Sequence, residues 1–256
     1  MASSGDNLDE APSAPFRPAL IVVDMQEDFC PPNGSLAVEG ARTLAPVINP
    51  LLALPGFVVK ISTQDFHPTS HVSFATNQPA PNNIPFQSTT ALKNTAAGRE
   101  AETKPLRLWP VHCVANTPGA CIIPEIEADK ISVNIRKGMD ARMEMFSAFT
   151  DIFGNNNCVE TGGVNADLTA VLREHCVSDI FIVGVAGDFC VTRTAVDAAD
   201  RRFRCFVVEE GTKCIDPLGG WEVCKREMED HGVRIVSING PEVARVKALL
   251  PESNYL

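Results

Sequence analysis

The sequence predicts an α/β fold, a parallel sheet covered by helices on both faces in a three-layer α/β/α sandwich. Two observations along the 256 residues predict it. Short runs rich in Val and Ile recur, each apolar enough to be buried on both faces. Stretches with helical apolar spacing separate most of these runs, which is the pattern of strand–helix–strand crossovers.

Residues 18–23 (PALIVV) form the first predicted strand and lead into Asp24. Residues 40–54 place Leu44, Val47, Ile48, Leu51 and Leu52 at helical spacing, and Pro46 and Pro50 make that helix irregular. Residues 57–63 give a second strand and 131–135 a third, the latter running into Arg136, Lys137 and Gly138. Asn165 is expected to cap a helix carrying Leu168, Val171, Leu172 and Cys176. Residues 179–183 are a strand, followed by the turn GVAGDFCV and a helix over 192–199. A strand (204–208), a helix (220–231), a strand (233–237) and a closing helix (241–250) complete the order. His175 and His231 fall at helix ends, where they complement the dipole. Residues 1–17 read as a disordered tail and 18–256 as a single domain.

Residues 65–119 are rich in Pro, Asn and Thr with little periodicity. So long an irregular stretch in a compact domain is expected to be functional or a lid. The loop at 153–163, FGNNNCVETGG, receives no functional assignment.

Composition narrows the function. A net charge of −10 without basic clusters argues against nucleic acid. No apolar run is long enough to span a membrane, and the N-terminus lacks the features of a targeting signal. Nine cysteines without a CxxC pair are expected to be reduced thiols, which places the protein in the cytoplasm or another reducing compartment such as the nucleus. A homo-oligomer is compatible with these features.

The reactive residues follow the strands. Asp24, Asp65 with His67, Lys137 and Cys190 come after strands one to four, and parallel sheets bind ligands beyond the carboxyl ends of their strands. Cys190 lies at a strand-to-helix turn, where unpaired N–H groups and the helix dipole are expected to lower a thiol pKa and stabilise an oxyanion. A carboxylate alone takes a thiol proton only uphill, whereas a nearby Lys⁺ stabilises the thiolate. Asp24, Lys137 and Cys190 therefore make a nucleophile set, with Asp24 as acid and base. Asp65, His67 and His112 form a His₂Asp set with open positions, suited to a catalytic metal: zinc by default, with iron or manganese accepting the same donors. His71 is either an additional ligand or a loop histidine bonded to the backbone.

The stretches VVDMQEDFCPPNGSL, TQDFHPTSHVSFA, LWPVHCVANTPGA, RKGMDARMEMFSAFTD and GVAGDFCVTRTAVDAA resemble, in order, the motifs of nicotinamidases within the isochorismatase-like cysteine hydrolases. The likeness is nearest to the fungal members and runs from about residue 18 to 237. It implies a Rossmann-like, isochorismatase-like domain with Asp24 as base, Lys137 as thiolate stabiliser and Cys190 as nucleophile. It further implies that Asp65, His67 and His112 bind the metal. The Val185–Ala186 peptide is implied to be cis, with an oxyanion hole from the N–H groups of Ala186 and Cys190. Phe29 and Trp109 correspond to aromatic residues flanking the substrate ring, and His71 to a ligand found in some relatives only. The implied activity is hydrolysis of nicotinamide to nicotinate and ammonia through a thioester, in NAD salvage, with pyrazinamide also accepted. The rivals are a related carboxamide amidase, a ligand sensor that kept the fold, and a thiol redox protein, the last lacking a paired cysteine motif.

Overall fold

The computed structural model describes residues 15–216 and 218–250, so the predicted tail up to residue 14 lies outside the described residues. Six parallel strands make the main sheet. In chain order the elements are β1 (Pro18–Val23), α1 (Ala45–Leu52), β2 (Val59–Asp65), β3 (Thr89–Lys93) and β4 (Thr103–Arg107). They continue with β5 (Val133–Lys137), α2 (Leu168–Glu174), β6 (Asp179–Val185), α3 (Thr192–Asp200) and β7 (Arg204–Lys213), then α4 (Gly220–Asp230), β8 (Arg234–Val236) and α5 (Pro241–Lys247). The sheet order is β5-β2-β1-β6-β7-β8, with β3 and β4 pairing separately as an antiparallel hairpin.

Alternation along β1 shows how the layers are held. Leu20 and Val22 pack with Ile48, Leu51 and Leu52 of α1 and with Val243 and Val246 of α5. Ala19, Ile21 and Val23 face the other way, onto Leu168 and Leu172 of α2, Ala195 and Ala198 of α3, and Met228 of α4. Both faces of β1 are therefore core, as an apolar run without polar alternation requires. Each fully buried aliphatic side chain contributes about 1.5–3 kcal/mol. The predicted α/β/α sandwich is the observed architecture. Among the described residues no helix is long and apolar enough to cross a membrane.

The chain winds outward from β1 in both directions: β1, β2 and β5 one way, then β6, β7 and β8 the other. Order reverses between β1 and β6, which opens a crevice at their carboxyl ends, where ligands bind in such sheets.

Three local readings are corrected. The irregular segment 65–119 contains the β3–β4 hairpin, which periodicity concealed because Leu92 and Leu106 are its buried residues. Lys137 and Asp65 are the last residues of β5 and β2 rather than residues beyond them, and they face each other in register. Asp167, not Asn165, caps α2: its Oδ1 accepts from the N–H groups of Thr169 (2.7 Å) and Ala170 (3.2 Å). Asn165 instead accepts from the Arg136 N–H at 2.7 Å and donates to the Asn134 carbonyl, tying this loop to β5. His175 and His231 are the C-caps of α2 and α4.

Asp167→Ala should lower stability by about 1 kcal/mol, a typical cost of losing an N-cap. The urea midpoint should fall at unchanged slope; an unchanged midpoint would mean that α2 needs no cap.

Candidate active site

Strand ends deliver Asp24, Asp65 and Lys137, the turn after β6 delivers Cys190, and loops deliver His67 and His112. Asp24 follows β1 with its backbone at φ 49°, a left-handed conformation that Asp tolerates better than most residues. Its Oδ1 accepts the Thr63 hydroxyl at 2.6 Å. Lys137 is completely buried, and its Nζ reaches Asp65 Oδ1 at 2.5 Å, Asp24 Oδ2 at 3.0 Å, the Met145 carbonyl at 3.2 Å and Cys190 Sγ at 3.4 Å. The Asp24 Oδ2 contact is an ion pair, and this oxygen has no hydrogen-bond partner among the described residues. One lone pair beside the thiol is thus left to take a proton.

Cys190 lies in a π-helical turn, Gly187–Val191, between β6 and α3, and the preceding Val185–Ala186 peptide is cis. Burial pushes the Cys190 thiol well above its usual range; Lys137 lowers it, but Asp24 and Asp65 raise it further. Burial and the two carboxylates thus work against the lowering expected from the turn, and Lys137 works with it. Burial also raises Asp24, with Lys137 opposing, whereas Lys137 keeps its charge because Asp24 and Asp65 outweigh the cost of burial. Burial and the two carboxylates thus favour the neutral thiol, and Lys137 favours the thiolate.

Asp65, His67 and His112 converge next to this group. His67 Nδ1–H donates to the Gly138 carbonyl at 2.8 Å, and His112 Nδ1–H to the Pro110 carbonyl at 2.8 Å. Each bond keeps a proton on Nδ1 and turns Nε2 toward Asp65; burial lowers the His67 pKa, but Asp65 outweighs it and raises it. Gly138, at φ 64°, is required here, because a Cβ would lie 2.4 Å from the His67 ring. The two Nε2 atoms lie 3.5 and 3.9 Å from Asp65 Oδ2, and His67 Nε2 has no hydrogen-bond partner among the described residues. Gln26 holds Asp65 in place by accepting its N–H and donating to its carbonyl, both at 2.8 Å.

The donor set fits a divalent metal on two grounds. One buried imidazole nitrogen is orphaned and aimed at a carboxylate, and ligand atoms of all three residues lie within 4.8 Å of one another. Charge agrees, since one ammonium faces two buried carboxylates. Burial and His67 push His112 down to about 4, so it is a neutral donor at neutral pH. Burial opposes ionisation of Asp65, but Lys137 and His67 prevail and hold it well below the usual carboxylate range.

His71 is placed differently. It stacks on His67 with ring centroids 4.0 Å apart, donates Nε2–H to the Met143 carbonyl at 3.0 Å and accepts the Ser73 hydroxyl on Nδ1 at 2.7 Å. Both nitrogens are occupied, so it supports His67 rather than offering a lone pair.

Phe29, Trp109, Asp65, His112, Ala186 and Cys190 line one narrow cleft, with about 340 Å³ of atom-free space including its mouth. The sequence reading missed Leu36, Glu144, Phe146, Phe189 and Ile215 in the same wall. Phe189 packs edge-on against Trp109 at 5.1 Å and tilted against Phe146 at 5.4 Å. Its position beside Cys190 was the one available signal. Glu144 is buried, and burial raises its pKa.

A parallel α/β sandwich with a buried Asp–Lys–Cys group and an adjoining His₂Asp set defines a class of hydrolase scaffold. The family profile described as Isochorismatase domain matches residues 18–239, and the chain belongs to this family. Among its relatives is a nicotinamidase of Acinetobacter baylyi, 35% identical over 86% of this chain and 92% of that protein. Among solved structures, the yeast nicotinamidase bound to the inhibitor nicotinaldehyde superposes with a TM-score of 0.77 at 32% identity, covering 86% of this chain and 99% of that one. A Pyrococcus horikoshii pyrazinamidase in complex with zinc gives a TM-score of 0.64 at 30% identity, covering 86% and 99%.

Lys137→Met should slow alkylation of Cys190 by iodoacetamide at neutral pH about tenfold or more, the effect of one pK unit on the thiolate fraction. Raising the pH should partly restore the rate. A folded variant alkylated at the wild-type rate would show that Lys137 does not act on the thiol.

Proposed function

We propose that this chain is an amidohydrolase that converts nicotinamide to nicotinate and ammonia through a thioester on Cys190. The observation that carries the reading is Lys137 Nζ within 3.4 Å of Asp24, Asp65 and Cys190 alike, behind an aromatic cleft that Asp65 and Cys190 line. The nicotinamidase and pyrazinamidase relatives support the substrate class.

In this mechanism Asp24 Oδ2 takes the Sγ proton as the sulfur attacks the carboxamide carbon. Lys137 stays charged throughout, so the proton moves within the group at constant net charge. The N–H groups of Ala186 and Cys190 receive the developing oxyanion. Protonated Asp24 then gives its proton to the departing nitrogen, the C–N bond breaks, and ammonia leaves. Asp24 next deprotonates a water that attacks the thioester carbonyl; the C–S bond breaks, the proton on Asp24 returns to sulfur, and the acid formed loses its own proton to solvent and leaves as nicotinate. Phe29 and Trp109 flank the ring and hold the carbonyl carbon near the sulfur.

Asp65, His67 and His112 would hold the divalent metal, zinc by donor chemistry, with iron or manganese accepted by the same set. When bound, such an ion supplies a Lewis acid for a pyridine ring nitrogen. Pyrazinamide carries a ring nitrogen at the same meta position to its carboxamide and belongs to the proposed substrate range. We infer that the nicotinate released feeds NAD salvage.

Cys190→Ala should abolish ammonia release from nicotinamide while the fold and metal content persist; substantial residual turnover would remove the thioester route. Benzamide has the same shape without the ring nitrogen, and a site built on a polar contact rejects such an analogue strongly, here by about 100-fold or more in kcat/KM. His67→Ala should narrow that gap. Equal turnover of both amides by the wild type would contradict a role for the ring nitrogen.

A further inference from the structure

Asp188 takes no part in the chemistry above, although it stands two residues before the nucleophile. We propose that it is a positioning residue that clamps the loop after β7, so that Ile215 is held in the wall of the substrate cleft. The identity of the substrate in that cleft rests on the nicotinamidase reading.

The clamp is a carboxylate bridging two consecutive amides. Asp188 Oδ1 accepts the Ile215 N–H at 2.9 Å, and Oδ2 accepts the Asp216 N–H at 3.0 Å. Ionised acceptors make the stronger hydrogen bonds, and two on adjacent amides fix the direction of the chain as well as its distance. The partners lie 27 and 28 residues from Asp188, so the contact joins elements that the sequence keeps apart.

Two glycines make this approach sterically feasible. A Cβ on Gly187 would lie 2.7 Å from Cys214 Sγ and 3.0 Å from Thr212 Cγ2, so only a bare backbone seats the turn against the end of β7. A Cβ on Gly220 would lie 3.0 Å from Asp188 Oδ2. The sequence GDFC thus has four tasks in a row. Gly187 seats the turn, Asp188 holds the neighbouring loop, Phe189 packs on Trp109 and Phe146, and Cys190 carries the sulfur.

The held loop needs such an anchor. Beyond Asp216, the Leu218 N–H turns back to Asp216 Oδ1, Leu218 is 96% exposed, and α4 starts without a side-chain cap. Ile215 nevertheless lines the cleft together with Leu36, Ala186, Phe189 and Cys190. Through Asp188, this wall and the sulfur are referenced to the same short turn. Loosening the loop should therefore weaken ring binding in the ground and transition states alike, without disturbing proton transfer.

The test combines Asp188→Asn, which keeps the shape but removes one acceptor, with Ile215→Ala. Each should raise KM for nicotinamide about tenfold with kcat within about twofold, the signature of lost uniform binding. The double variant should be no worse than about twofold beyond the weaker single, because both changes remove one interaction. Hydrogen exchange supplies a readout independent of turnover. In Asp188→Asn the Ile215 and Asp216 amides should exchange at least about tenfold faster, while those of β6 and α3 keep their protection. Unchanged exchange at these two amides, or effects on KM that multiply in full, would overturn the proposal. A wild type inactive on nicotinamide would refute the substrate reading, and the exchange result alone would then decide the clamp.

Discussion

A lysine ammonium without access to water sets the terms for this site. Lys137 is buried together with two carboxylates and a thiol, and a charge there persists only because opposite charge lies within 3.0 Å. Removing one partner of such a group typically costs about 3–5 kcal/mol, because the other charge is left uncompensated. The same constraint shapes the chemistry. Any step that created a new charge in this dry volume would be penalised, whereas a proton shuttled between Cys190 and Asp24 beside a permanent cation leaves the total unchanged. It also explains the neighbouring donor set. Asp24 and Asp65 both face one ammonium, and His67 Nε2 stands unpartnered beside Asp65, so the three donors of Asp65, His67 and His112 could hold a second cation there.

The fold meets this constraint by topology. Asp24, Asp65 and Lys137 terminate or follow β1, β2 and β5, and Cys190 follows β6, so four adjacent strands contribute one residue each to a single edge. Strand register fixes the distances, with Asp65 directly opposite Lys137. Loops then add what the strands do not reach: His67 and His112 from the long connection between β2 and β5, and Phe189 from the turn itself.

Much of this was legible in the residues, and the reasons are physical. Strands buried on both faces are apolar without alternation, so β1 and β6 declared themselves, and the residues that follow them became site candidates by the geometry of parallel sheets. The β3–β4 hairpin was hidden because it buries Leu92 and Leu106 against a small side cluster rather than the main core. Asn165 and Asp167 are both able caps, and only the pull of the Arg136 N–H on Asn165 decides between them. The groups that oppose a lowered thiol pKa were hidden for a related reason. Dipole and lysine were visible in the sequence, but the depth of burial and the approach of two carboxylates were not. Contacts between distant segments, such as Gln26 on Asp65 and Asp188 on Ile215, leave no local pattern to read.

Constant-charge proton transfer to form a thioester is the core of this account, and rapid-quench mass spectrometry of the protein with nicotinamide tests it most directly. The prediction is a burst of ammonia ahead of nicotinate, with a nicotinoyl group on the peptide that carries Cys190 and on no other. Ammonia and nicotinate released in step, with Cys190 never acylated on the timescale of turnover, would contradict it.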